Sequence, residues 1–221
     1  VLNFKSPSSV EEAIAIQKSL AASIISEGRI ERPRFIAGAD VSITGDEGTA
    51  AIVVLSYPEL EPVFYSVASD KVGFPYIPGL LSFREIPLVL AAWEKLTHTP
   101  DLLFVDGQGM AHPRHFGIAC HLGLLLDMPT IGCAKSHLYG CYEEPGQGCG
   151  AFSWLKDEDK TIGAVLRTKA GSSPLFVSVG HKINLDEAVR WTVSCCDGHR
   201  LPKPARLAHL ASKGKLNDSW C

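Results

Sequence analysis

Three carboxylates in this chain, two on apolar strand-like runs and one on a helical segment between them, are placed to converge at one edge of a sheet. Asp40 lies inside the run FIAGADVSI, among Ile36, Val41 and Ile43, and a charge in apolar surroundings needs a partner. Asp106 closes the apolar run LLFVDG, and glycines at 107 and 109 permit close backbone approach. Glu85 lies between them in a segment of helical pattern. Acidic oxygens gathered without thiolates suit a hard divalent cation, Mg²⁺ with Mn²⁺ as a substitute. Completed by phosphate oxygens, such a site hydrolyses phosphodiesters. Singly, each acid has an ordinary reading: Asp40 as a turn cap, Asp106 as a helix cap, Glu85 as the partner of Arg84. Their combination carries the weight.

Cations and one aromatic ring stand near these acids in sequence. Lys135 follows the apolar run TIGCA, and on a strand beside Asp106 its ammonium would neutralise a phosphate or charge developing in a transition state. The stretch DGQGMAHPRH carries His112, Arg114 and His115, which either meet phosphates or face water. Its glycines, Gly107 and Gly109, could offer main-chain groups to a flat base. Residues 200–217 hold Arg200, Lys203, Arg206, Lys213 and Lys215 with no acidic residue, a local basic patch. His209 stands on that segment, either as a structural histidine or to orient water or bind a cation. Tyr76 is held between Pro75 and Pro78 in a stiff loop, as an edge-of-core ring or as a wedge for a partner. Asp46, Glu47, Glu143, Glu144, Asp157, Glu158 and Asp159 read as solvated loop acids.

The elements that must position these groups are legible from periodicity. SPSSVEEAIAIQKSLAASII reads as a helix with a Ser9–Glu12 capping box and an apolar series Val10, Ile14, Ile16, Leu20, Ile24. Its early acids argue against a signal or transit peptide. RFIAGADVSI, AAIVVLSYP and EPVFYSVASDKV read as an antiparallel meander. GLLSFREIPLVLAAWEKL reads as a helix with Pro87 near its first turns. DLLFVDG, GIACHLGLLLD and PTIGCAK form a strand–helix–strand crossover with parallel strands. AFSWLKD, TIGAVLRTK and PLFVSVG follow as strands, NLDEAVRWTVSCCD and KPARLAHLASK as helices. The fold class is α/β: a mixed central sheet, three antiparallel strands then parallel strands, flanked by helices. Ligands in such sheets collect at the carboxyl ends of strands.

With 221 residues, 46% hydrophobic and 20% charged, a single domain over 1–221 is expected, acting as a monomer. The net charge of −3 gives no global attraction to polyanions, so any such site is local. Seven cysteines without a C-x-x-C pair argue against a disulfide framework or a zinc site and fit a cytoplasmic or nuclear compartment. The apolar stretch FGIACHLGLLLDMPTIGCA is interrupted by His121, Asp127 and Pro129, which reads as a buried helix and strand with no membrane span.

The order Asp–Glu–Asp on strand, helix and strand resembles that of ribonuclease H-like nucleases. More specifically, AGADVS, FPYIPGLLSFRE, VDGQGMAHPR, PTIGCAKSHLYG, PLFVSVGH and RLPKPARLAH resemble the endonuclease V family, in order, from near residue 35 to near residue 210. The resemblance implies a ribonuclease H-like fold and Mg²⁺-dependent cleavage of the second phosphodiester 3′ to an inosine, leaving 3′-hydroxyl and 5′-phosphate ends. It implies Asp40, Asp106 and Glu85 at the metal, with Lys135 and His209 completing the catalytic set. Pro75, Tyr76, Ile77 and Pro78 would form a wedge in the space left by a displaced base. The base would enter a pocket of Gly79, Leu81, Gly107, Gly109, Ile118 and Leu138. His112, Arg114 and Arg206 would hold the nucleic-acid backbone. The partner is inosine-containing DNA, in a repair role, with RNA as the alternative substrate. A non-cutting recognition module is disfavoured because all three acids are present.

Overall fold

A computed structural model describes residues 3–216. In chain order its elements are α1 (Val10–Ala21), β1 (Phe35–Thr44), β2 (Glu47–Ser56), β3 (Pro62–Lys71), α2 (Leu81–Trp93), β4 (Leu102–Val105) and α3 (Ile118–Leu126). They continue with β5 (Thr130–Ala134), β6 (Phe152–Asp157), β7 (Lys160–Leu166), β8 (Leu175–His181), α4 (Leu185–Ser194) and α5 (Lys203–Ser212). The strands form one sheet in the order β3-β2-β1-β4-β5-β8-β7-β6.

The meander β1–β2–β3 is antiparallel, and β4 and β5 run parallel to β1. Beyond them, β8, β7 and β6 pair antiparallel, so the parallel part of the sheet ends at β5. β6 and β7 are joined by only Glu158 and Asp159, a link that closes antiparallel strands and cannot span a parallel crossover.

Alternation along β1 assigns its residues to two layers. Ile36 packs in one core with Ala205, Leu207 and Ala208 of α5 and Trp191 of α4. Ala37 and Ala39 join the opposite core with Ile86 and Val89 of α2 and Leu122 of α3. Gly38 lies on the α5 face, where a Cβ would come within 2.2 Å of the Pro204 carbonyl group. A glycine is what lets α5 settle directly on β1, and α5 carries His209.

Three local expectations are revised. Ser9 caps α1 by accepting from the Glu12 amide at 3.1 Å, but the Glu12 carboxylate accepts from the Ser8 amide at 2.8 Å, not from Ser9. On α1 the deeply buried residues are Ala13 and Gln17, while Val10, Ile14, Ile16 and Leu20 are half-buried. Helix α2 starts at Leu81, which puts exposed Pro87 in its second turn, beyond the first-turn position where proline is harmless. Among the described residues the cysteines are free thiols; Cys221 lies outside them. No described helix is long and apolar enough to cross a membrane.

Candidate active site

Parallel pairing places Ala39 opposite Val105 and Val105 opposite Gly132, so Asp106 and Lys135, just past the carboxyl ends of β4 and β5, come level with Asp40 in the middle of β1. The Asp106 amide extends the ladder by donating to the Ala39 carbonyl at 3.0 Å. Lys135 Nζ donates to Asp106 Oδ2 and lies 3.3 Å from His209 Nδ1. That same imidazole nitrogen is 3.3 Å from Asp40 Oδ2. A neutral ring either accepts from Lys135 or donates to Asp40 through it, one at a time. Ser212, one turn beyond His209, donates to Asp40 Oδ2 at 2.5 Å, and Ser42 Oγ donates to the Ser212 carbonyl at 2.5 Å. These two bonds tie the end of α5 to β1. Neither serine was among the sequence-derived site residues.

Asp40, Asp106 and His209 each offer an atom within 4.8 Å of the others. Glu85 is not part of that close group, because α2 packs on the opposite face of β1 from α5. It is nevertheless buried, and burial followed by the charges of Asp40 and Asp106 pushes its carboxyl up to about 8. Burial, reinforced by Asp40 and opposed by Lys135, pushes Asp106 up to about 7. Burial and the neighbouring ammonium groups of Lys135 and Lys213 hold His209 below the usual imidazole range. Crowded carboxylates held partly protonated are what a hard divalent cation would relieve. Two aspartates and an imidazole in reach of one point fit such an ion.

A cavity of about 260 Å³ opens nearby. It is smaller than the range of about 300–1,000 Å³ typical for drug-sized ligands and suits a single flat ring system. Gly79, Leu81, Ile118 and Leu138 line it, together with Tyr76, Ile77 and Pro78. Tyr76 projects with 70% of its surface exposed. Ile77 turns partly inward, against Leu80, Phe83 and Ala13.

Gly107 and Gly109 do not line the cavity. Gly109 donates to Ser178 Oγ at 2.8 Å, accepts from the Gly117 amide at 3.0 Å, and would place a Cβ 2.1 Å from the Val179 carbonyl. Gly107, at φ +154°, faces the Ile118 side chain, which a Cβ would meet at 2.5 Å. Both serve close packing behind the pocket wall. Gln17, Ser82, Gln108, His112, Gly117, Ser136 and His137 line it instead.

His112 and Arg114 also differ from expectation, since both are turned into the protein. His112 Nδ1 accepts from the Arg114 amide at 3.1 Å, so Nε2 carries the proton and donates to the Gly79 carbonyl at 2.8 Å. Burial holds this ring neutral, lowering it to about 4. Arg114 donates through one terminal nitrogen to the same carbonyl at 2.7 Å and through Nε to Gln17 Oε1 at 2.6 Å. Gln17 Nε2 completes the set, donating to the Gly79 carbonyl at 3.0 Å and the Phe116 carbonyl at 3.2 Å. Three donors thus fix the residue that follows the Pro75–Pro78 loop.

Of the basic patch, Arg206 pairs with Asp197 at 2.5 Å and Arg200 donates to the carbonyls of Lys135 and Pro174 at 2.7 and 2.8 Å. Lys213 and Lys215 remain exposed. Two loop acids are structural and not simply solvated. Asp157 pairs with His115 and accepts from Tyr139, each at 2.9 Å, and Glu144 pairs with buried Arg167 at 2.7 Å.

Residues 18–210 match the family described as Endonuclease V. The chain belongs to the endonuclease V family. It is 51% identical over 203 residues to endonuclease V of Dehalococcoides mccartyi, covering 91% of each chain. The crystal structure of endonuclease V from Streptomyces avermitilis superposes with a TM-score of 0.89 at 41% identity, covering 96% of this chain and 94% of that one. Ciona intestinalis endonuclease V, solved with a 24-mer DNA containing an inosine followed by a ribo-adenosine, has a TM-score of 0.81 at 26% identity, covering 94% and 97%. The fold and family inferred from the sequence motifs are those found. Endonuclease V proteins are nucleases, and Asp40 within β1, Asp106 and Lys135 past the ends of β4 and β5, and His209 on α5 form one constellation.

Proposed function

We propose that the protein is a divalent-metal-dependent endonuclease that recognises inosine in DNA and hydrolyses the second phosphodiester 3′ to it, leaving 3′-hydroxyl and 5′-phosphate ends, in the repair of deaminated adenine. The observation that carries the chemistry is the close approach of Asp40, Asp106 and His209. Asp40 and Asp106 would hold the ion, with His209 beside them and Glu85 behind. Bound there, Mg²⁺ or Mn²⁺ would neutralise phosphate charge and activate a water for in-line attack.

The remaining roles belong to the chain itself. Lys135, held against Asp106 and 3.3 Å from His209, supplies positive charge toward the departing oxygen. His209 takes or gives a proton at Nδ1, with Asp40 as its neighbour. Tyr76, exposed on a loop stiffened by two prolines, stacks in the gap left by the displaced base. Displacement costs least at a mispaired base, which favours damage over normal sequence. Lys213 and Lys215, beside the acidic centre, meet the phosphate backbone.

Asp40→Asn and Asp106→Asn test the assignment. Each is expected to lower single-turnover cleavage of inosine DNA by at least a hundredfold while binding stays within a few-fold of wild type. Full cleavage in either variant would remove the acidic centre from the chemistry.

A further inference from the structure

One face of β1 meets helix α5. Gly38, Asp40 and Ser42 alternate toward that helix: Gly38 abuts Pro204, while Asp40 and Ser42 both bond to Ser212. Ser212 is buried and is the last residue of α5. Its carbonyl, which has no helical partner at a helix end, accepts from Ser42 Oγ. Its hydroxyl has two acceptors in reach, Asp40 Oδ2 at 2.5 Å and the His209 carbonyl at 3.1 Å. A single hydroxyl proton serves one acceptor at a time, and the carboxylate, nearer and charged, is the stronger of the two. His209 Nδ1 lies 3.3 Å from the same Oδ2. Neither contact uses Asp40 Oδ1.

We propose that Ser212 is a positioning residue for the ion site: its hydroxyl holds Asp40 Oδ2 and so leaves Oδ1 as the oxygen offered to a divalent cation. This rests on the reading of Asp40 as an ion ligand. The torsion that turns an aspartate carboxylate is broad and nearly two-fold, so Asp40 without a fixed donor would sample several orientations. A donor on α5 removes that freedom before an ion binds. Loss of such a partner behind a ligand typically costs about 10–100-fold in metal affinity. Ser42 provides the contrast. It secures the same helix end, but its hydroxyl bonds to the Ser212 carbonyl and not to Asp40.

The test measures Mn²⁺ binding to the full chain without nucleic acid, from the paramagnetic resonance signal of the free ion. The proteins are wild type, Asp40→Asn, Ser42→Ala, Ser212→Ala and Ser212→Cys, each checked by thermal melting. Positioning predicts that Ser212→Ala raises the Mn²⁺ dissociation constant by about tenfold or more, while Ser42→Ala stays near the wild-type value. Ser212→Cys keeps the shape of the side chain and offers only a weak donor, so it carries the test if Ser212→Ala does not fold. A role limited to tying α5 onto β1 predicts that Ser42→Ala and the Ser212 variants weaken Mn²⁺ binding alike, or not at all. Either result overturns the proposal and leaves the ion site standing. No Mn²⁺ binding by wild type, or binding that Asp40→Asn does not weaken, overturns both.

Discussion

Replacing Gln17 by methionine isolates the brace behind the Pro75–Pro78 loop. The side chain keeps its volume but loses both amide functions. The Gly79 carbonyl retains the His112 and Arg114 donors at 2.8 and 2.7 Å, so its loss is small. The Phe116 carbonyl loses its Gln17 donor in a buried setting, which costs about 1–3 kcal/mol. Arg114 Nε loses its 2.6 Å acceptor; a bond to a charged group is worth more, but this guanidinium is partly exposed, so about 1 kcal/mol is appropriate. The sum is about 2–4 kcal/mol. For a chain of this length it lowers the melting temperature by on the order of 10 °C. Urea unfolding would show a lower midpoint at unchanged slope. Combining the change with Arg114→Met should cost less than the two singles added, because they share a bond. A loss below about 0.5 kcal/mol, or full additivity, would refute the brace.

Three further outcomes follow from the same geometry. Gly38→Ala puts a Cβ 2.2 Å from the Pro204 carbonyl group, so α5 must shift; stability should fall by about 1–3 kcal/mol and cleavage should fall with the displaced His209, as melting and single-turnover rates would show. Tyr76→Ala removes an exposed ring, so stability should change by less than about 0.5 kcal/mol while affinity for inosine DNA falls about tenfold, within the range for one lost stacking contact; unchanged affinity would exclude the wedge. Burial lowers both His112 and His121 to about 4, so the folded state binds fewer protons than the unfolded one: stability is complete above the unfolded value of about 6.5 and is lost as pH falls from there toward 4. At pH 5 each contributes about 2 kcal/mol of loss, and His121→Leu should remove about half of the combined pH dependence in urea melts.

Much of the site was readable because strand ends are readable. Asp106 and Lys135 each follow an apolar run, parallel neighbours bring such ends together, and Asp40 stands out as a carboxylate inside an apolar strand. His209 became legible through the motif around it, since a lone helical histidine carries no signal of what it faces. The brace was not legible: Gln17 stands between Ile16 and Lys18 like a surface residue, yet it shares the buried face of α1 with Ala13. His112 and Arg114 looked like phosphate contacts because cations in loops normally face water, and only the fold reveals a carbonyl waiting inside. Gly107 and Gly109 signal close approach without saying to what, and the approach is to Ile118 and Val179 rather than to a base. Strand direction beyond β5 was likewise hidden, because side-chain alternation is the same for parallel and antiparallel pairing.

The central claim is that the Asp40–Asp106 centre cuts inosine DNA at one defined bond with a divalent cation. The direct measurement maps end-labelled products from DNA with a single inosine, and from its adenosine control and RNA counterpart, in Mg²⁺ and in EDTA. The account predicts one cut, at the second phosphodiester 3′ to inosine, present in Mg²⁺, abolished by EDTA and absent from the control. Cleavage that persists in EDTA, or that falls equally on the adenosine strand, would contradict it.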